Sequence, residues 1–206
     1  MVAAKLFLLL ILCSRVFGSG SDGDFFIRAE VQQSAVPPPP PEILAYDDGN
    51  AFWFSWAGTY RAVWFDLYDF VVPTNYQVHG AEMWFYHHSE YPWDTGSFLC
   101  EVWLGDLMGP IEKIASEACI AQQYSSVYCQ FDWQPYYPEQ FWILLDMSES
   151  VGGWPSVVCD NTGYANEGHS YFSNDFIVWE PWIIQESSCF PLSYESCSWG
   201  NLKTLF

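Results

Sequence analysis

Between residues 24 and 31 apolar and polar side chains alternate. Phe25, Ile27, Ala29 and Val31 fall on one face, and Asp24, Phe26, Arg28 and Glu30 on the other. A period of two predicts a strand with one face buried. Beyond residue 46 the pattern becomes a succession of short, aromatic-rich apolar runs broken by Gly, Pro, Asn and Asp. Strand-like stretches fall at 52–56, 62–68, 78–86, 98–104, 111–118, 127–131, 157–159, 170–173 and 176–179. The run 141–147 is almost unbroken in apolar residues, which predicts a strand covered on both faces. Residues 111–120 also fit a helix, but their place between strand-like runs favours β. Many short strands at turn-punctuated spacing predict an all-β fold. The expected form is a jelly-roll-type antiparallel β-sandwich with an N-terminal extension strand.

Five consecutive prolines, Pro37 to Pro41, stand between the first strand and the rest. Such a run adopts polyproline II, rises roughly 3.1 Å per residue and acts as a semi-rigid spacer. The first strand is therefore expected to be held away from the main body. Ahead of it, Lys5, the apolar stretch 6–12 and the small residues Gly18, Ser19 and Gly20 form a secretory leader pattern. The apolar stretch is too short to span a bilayer. The expected organisation is a signal peptide at 1–18 and an N-terminal (donor) strand segment at 19–33. A Pro-rich linker at 34–42, a sandwich at 43–182 and a Cys-containing tail at 183–206 follow. The expected location is outside the cell or on its surface, with no membrane span in the mature chain.

Charge narrows the partners. The 206 residues carry 25 acids against 6 bases, a net charge of −19. Nucleic acid is excluded, because phosphate binding needs Lys and Arg to replace counterions. Anionic membrane surfaces are excluded for the same reason. Lys5 and Arg15 lie in the leader, which leaves Arg28, Arg61, Lys113 and Lys203 in the mature chain. Mutual repulsion keeps such a chain soluble despite its aromatic content.

Of the seven cysteines, Cys13 falls in the leader. Cys100, Cys119, Cys129, Cys159, Cys189 and Cys197 remain. An even number in an exported chain predicts disulfides, against the alternative of free buried thiols. Sequence does not choose the pairing. Cys189 and Cys197 are placed to close a local loop, and Cys100 and Cys119 to face each other across a hairpin. No CxxC occurs and no His stands beside a Cys, so no zinc site is expected.

Other chemistry is sparse. Asp47-Asp48, or Asp22 with Asp24, could offer carboxylate oxygens to calcium. Neither has EF-hand spacing, and solvated turns are the favoured reading. His87 and His88 point to opposite faces of a strand and would not converge on a metal, with His79 the other imidazole nearby. No nucleophile elbow, zincin motif or phosphate-cradling loop is present. No enzyme and no cofactor are expected.

The order of several motifs resembles secreted bacterial β-sandwich modules, over residues 44 to 182. Tyr46-Asp47-Asp48-Gly49-Asn50 matches their opening turn, and the stretch 52–56 ending Ser55-Trp56, with Gly58 after it, their first aromatic strand. Val102-Trp103 followed by Gly109-Pro110 resembles their middle. Ser170-Tyr171-Phe172-Ser173-Asn174-Asp175 and then a Trp resembles their end. The resemblance implies a sandwich fold, an extracellular role and no catalytic residues. After Trp179-Glu180-Pro181-Trp182 the family's closing strand is missing. A segment similar to it, Gly23-Asp24-Phe25-Phe26-Ile27-Arg28-Ala29, stands at the N-terminus instead.

Three outcomes are open for that segment. It completes its own sandwich like a circular permutant, it fills the groove of a neighbour, or it stays unstructured. Filling a neighbour is donor-strand complementation, and a head-to-tail contact of that kind builds filaments unless it closes into a ring. The favoured expectation is an extracellular structural protein, a pilus-like filament subunit that binds itself through Phe25, Phe26, Ile27, Arg28, Ala29 and Val31. The alternative is a secreted carbohydrate-binding or adhesive module. There Trp93, Trp133, Tyr136, Tyr137 and Trp154, in Pro- or Gly-rich stretches, would face a glycan rather than cap the sandwich ends.

Overall fold

The apolar run at 141–147 becomes the interior of a six-stranded sheet. In a computed structural model, the described residues are 24–33, 40–47, 49–51, 53–55, 58–70, 76–87, 93, 95–122, 125–132, 139–150, 155–160, 168–182 and 189–191. The leader at 1–18, most of the linker at 34–39 and most of the tail lie outside them.

In chain order the strands are β1 (Ile27–Gln33), β2 (Glu42–Leu44), β3 (Trp53–Ser55), β4 (Tyr60–Asp66), β5 (Tyr76–Tyr86) and β6 (Ser97–Asp106). They continue with β7 (Gly109–Ile120), β8 (Ser125–Gln130), β9 (Gln140–Asp146), β10 (Ser156–Cys159), β11 (Ser170–Ser173), β12 (Glu180–Pro181) and β13 (Cys189–Pro191). One sheet runs β13-β3-β10-β5-β1-β2, with β8 also paired to β5. The other runs β12-β11-β4-β9-β6-β7. Every pairing is antiparallel, and the two sheets pack into an all-β sandwich. The stretch 111–118 is part of β7, so the helical alternative there is not realised.

Alternation sorts the side chains of β4 into two layers. Val63 and Phe65 face the core between the sheets, beside Phe141, Ile143 and Leu145 of β9. Ala62 and Trp64 face outward, yet they are buried with Trp142, Leu144 and Tyr171. Phe176 and Trp179 close over this outer cluster, with ring centroids 5.6 Å apart between Trp142 and Trp179. A second apolar layer thus absorbs tryptophans that an inter-sheet core would not hold.

The covering segment differs from the strand expected at 176–179. Ser173 Oγ accepts the Phe176 N–H, and Asp175 Oδ1 accepts the N–H groups of Ile177 and Val178. Phe176 also has φ of 65°. Side-chain acceptors and a left-handed residue hold a loop and break an extended ladder. Those backbone N–H groups, from Val178 and Ile177, draw the Asp175 carboxyl below its ordinary range.

The cysteines also depart from expectation. In the β6–β7 register Cys119 lies opposite Phe98, and Cys100 opposite Glu117, so these two cysteines do not face each other. Bulges after Val102 and Leu104 shift the pairing further toward the turn. Cys119 is bonded to Cys129 instead, across a Cα separation of 6.8 Å, and so joins β7 of one sheet to β8 of the other. Cys100 is a buried free thiol, whose pKa burial pushes up. Cys159 is buried, only the backbone of Cys189 is described, and Cys197 lies outside the described residues.

Candidate functional site: the groove that holds the N-terminal strand

β1 is not held away from the body. It lies inside the seven-stranded sheet, with β5 on one edge and β2 on the other. Ile27 pairs with Met83, Ala29 with Ala81 and Glu30 with Gly80. A bulge then brings Val31 opposite Val78. On the other edge Ala29 faces Leu44 and Val31 faces Glu42. The Pro-rich residues therefore bridge the two arms of a β1–β2 hairpin. Within one chain β1 completes this sheet between β5 and β2.

Residues 24–26 seal one end of the groove. The Phe26 N–H donates to the Val158 carbonyl at 2.9 Å, and the Trp84 N–H to the Phe26 carbonyl at 3.2 Å. The Asp24 N–H donates to Asp160 Oδ1 at 2.8 Å, and the Asp160 N–H returns to the Asp24 carbonyl. Ser170, on the opposite sheet, accepts the Phe25 N–H and donates to Asp24 Oδ1 at 3.0 Å. The Ile27 N–H bonds back to the Phe25 carbonyl at 2.7 Å. That tight bend breaks the period of two, so Phe25 and Phe26 are both buried, and the ladder starts at Ile27.

Phe25, Ile27, Ala29 and Val31 all enter the inter-sheet core, as the alternation predicts. Phe25 lies 5.0 Å from the Trp182 ring. Phe26 was placed by sequence on the polar face but is fully buried, with the Arg28 guanidinium 5.3 Å over its ring. Arg28 Nε donates to Asp47 Oδ2 at 2.8 Å. That hydrogen bond raises the arginine pKa against the opposing effect of burial. Burying a large apolar side chain contributes about 1.5–3 kcal/mol. Phe25, Phe26, Ile27 and Val31 together therefore weigh against a whole-domain stability of about 5–15 kcal/mol. A body without β1 has an apolar groove and unpaired ladder groups on both flanking strands.

The remaining sequence candidates fall as follows. Asp47 is occupied by Arg28 and also accepts the Gly49 N–H. Asp24 is bound to Ser170, whereas Asp22 and Asp48 lie outside the described residues. His79 Nε2 stands 3.9 Å from Glu30 Oε1, and His87 packs edge-on against Trp93. Among the described residues no three His, Cys, Asp or Glu side chains come together to hold a metal. Trp93 is half-buried against the core. Trp133, Tyr136, Tyr137 and Trp154 lie outside the described residues. Among the described residues no helix is long and apolar enough to cross a membrane.

Sequence reasoning missed the device that clasps β1. Tyr128 of β8 crosses over Gly80 of β5 and donates to Glu30 Oε1 at 3.0 Å. The signal was a glycine inside a strand pattern, which marks a close approach. No family model matches the chain, and no curated protein and no solved structure matches it either.

Proposed function

We propose that the chain is an exported structural subunit that polymerises head to tail, β1 of one copy filling the groove of the next. One observation carries this reading. A strand from the N-terminal part of the chain, with Ile27, Ala29 and Val31 buried on one face, occupies an interior position of the sheet, and its tie to the rest runs through proline-rich residues. Exchange of such an element costs little, because the same contacts form within or between copies. What differs is closure of the connection, and its free energy varies only slowly with length. Consecutive prolines disfavour a tight return and favour an extended tether. The leader pattern and the Cys119–Cys129 disulfide support export to an oxidising compartment. Subunits carrying 25 acids against the four bases left after the leader repel one another, so exchange is favoured by added salt.

The test is refolding of the mature chain from denaturant at low and high concentration, followed by size separation and electron microscopy. Higher concentration and salt should yield a ladder of oligomers and then threads. Removing Pro37 to Pro41 halves the ten-residue connection between the paired Val31 and Glu42, and should disfavour closure within one chain and raise the polymer fraction. A soluble monomer under all these conditions, shortened linker included, would refute the proposal. A closed dimer alone would keep the exchange and discard the filament.

A further inference from the structure

On the outer side of the six-stranded sheet, away from β1, lies a cleft of about 360 Å³. It is lined by Trp64, Asp66, Asp69, Leu107, Gly168, His169 and Tyr171. Its volume falls within the range of about 300–1,000 Å³ that small-molecule sites occupy.

The walls are held in fixed positions. The His169 ring lies flat between Tyr46, at 3.5 Å and 10°, and Trp64, at 5.5 Å and 11°. His169 Nδ1 is 3.1 Å from the Trp64 carbonyl. A carbonyl only accepts, so Nδ1 carries a hydrogen whether the ring is neutral or charged. Nε2 then points toward Asp69 Oδ2 at 3.8 Å, too far for a direct hydrogen bond. Asp69 Oδ2 accepts the Tyr46 hydroxyl at 2.7 Å. Asp66 accepts the Tyr68 N–H at 3.0 Å and Gln140 Nε2 at 2.8 Å.

This lining specifies a ligand class. The two carboxylates keep spare lone pairs. Among the described residues no Lys or Arg lines the cleft, so an anionic ligand meets the repulsion of Asp66 and Asp69. Trp64, Tyr171 and Leu107 supply apolar surface. A fitting ligand is uncharged, carries several hydroxyl donors and has an apolar face. We propose that the cleft binds a neutral hexose unit of a glycan, with Asp66 and Asp69 accepting its hydroxyls. The site shares no residue with the β1 groove and stands independently of strand exchange.

The test is calorimetric titration of the mature chain with glucose, galactose, mannose and glucuronate, and with tetramethylammonium as a cationic control. At least one neutral hexose should bind saturably, with glucuronate and tetramethylammonium each at least tenfold weaker. Asp69→Asn should weaken hexose binding about tenfold, the equivalent of one charge-assisted hydrogen bond. Leu107→Trp, at an exposed rim position that leaves folding intact, should abolish binding by filling the cleft. No hexose binding, tighter binding of tetramethylammonium, or unchanged affinity in the Leu107→Trp chain would each overturn the proposal.

Discussion

The Tyr128 hydroxyl lies 3.0 Å from Glu30 Oε1, and the ring that carries it passes over Gly80. Three neighbouring strands meet in that contact: β8 provides the phenol, β5 the gap and β1 the carboxylate. A Cβ on residue 80 would collide with the Tyr128 ring and hydroxyl. Glycine is needed here for space rather than for an unusual φ.

Gly80→Ala should therefore displace Tyr128 and cost about 1–2 kcal/mol, the range for a lost charge-assisted hydrogen bond with some repacking. Tyr128→Phe keeps the ring and should cost less than about 1 kcal/mol at this half-exposed site. Urea midpoints measure both. Amide exchange in β1 should accelerate more in the alanine variant than in the phenylalanine one.

Trp142→Ala should lose roughly 3–5 kcal/mol, as large-to-small changes in a core do. The side chain is fully buried although it faces outward from the sheet, and its Nε1 donates to the Asp106 carbonyl at 3.1 Å. A thermal or chemical melt gives the number. A loss below about 1 kcal/mol would show that the segment 174–179 is not a true cover.

Alkaline pH should destabilise the fold. Burial lifts the phenol pKa values of Tyr46 and Tyr76 above 10.0, and burial with the Glu30 hydrogen bond pushes Tyr128 up to about 12. In the unfolded chain these groups ionise near the ordinary value. Their contribution is complete below pH about 10 and is lost as pH rises toward the folded values. Melting temperature should be flat with respect to these groups up to pH about 9.5 and fall beyond it. Tyr46→Phe should make the fall shallower while lowering stability at neutral pH through the lost bond to Asp69.

Reducing the Cys119–Cys129 bond should cost roughly 2–3 kcal/mol, from loop-closure entropy for cysteines 10 residues apart. Denaturation with and without reductant measures it. The Cys119→Ser/Cys129→Ser chain should show this loss without reductant.

Local pattern carried much of the fold. The alternation at 24–31 located the core residues of β1, and the unbroken run at 141–147 located the strand flanked by β4 and β6. Local pattern failed where distant groups decide. Phe26 reads as outward-facing, but the bend at Phe25 and the backbone of Val158 draw it inside. The run 176–179 reads as a strand, yet Ser173 and Asp175 hold it as a loop. Five prolines read as a rod that separates, whereas ladder pairing of β1 with β2 sets where its ends lie. The cleft on the outer face assembles residues from positions 64 to 171, and no short motif brings them together.

The placement of the cations has a consequence for how the molecule meets its surroundings. Arg28 is bound to Asp47, Arg61 is enclosed with Nη1 donating to the Pro155 carbonyl, and Lys113 lies 2.9 Å from the buried Glu101. Among the described residues each of the three cations is thus engaged within the molecule, and carboxylates outnumber them at the surface. Dense packing of such molecules concentrates small counterions, and those ions draw in water osmotically. The material would swell in dilute buffer, shrink in brine and flocculate as acidity approaches the isoelectric point near 4.1.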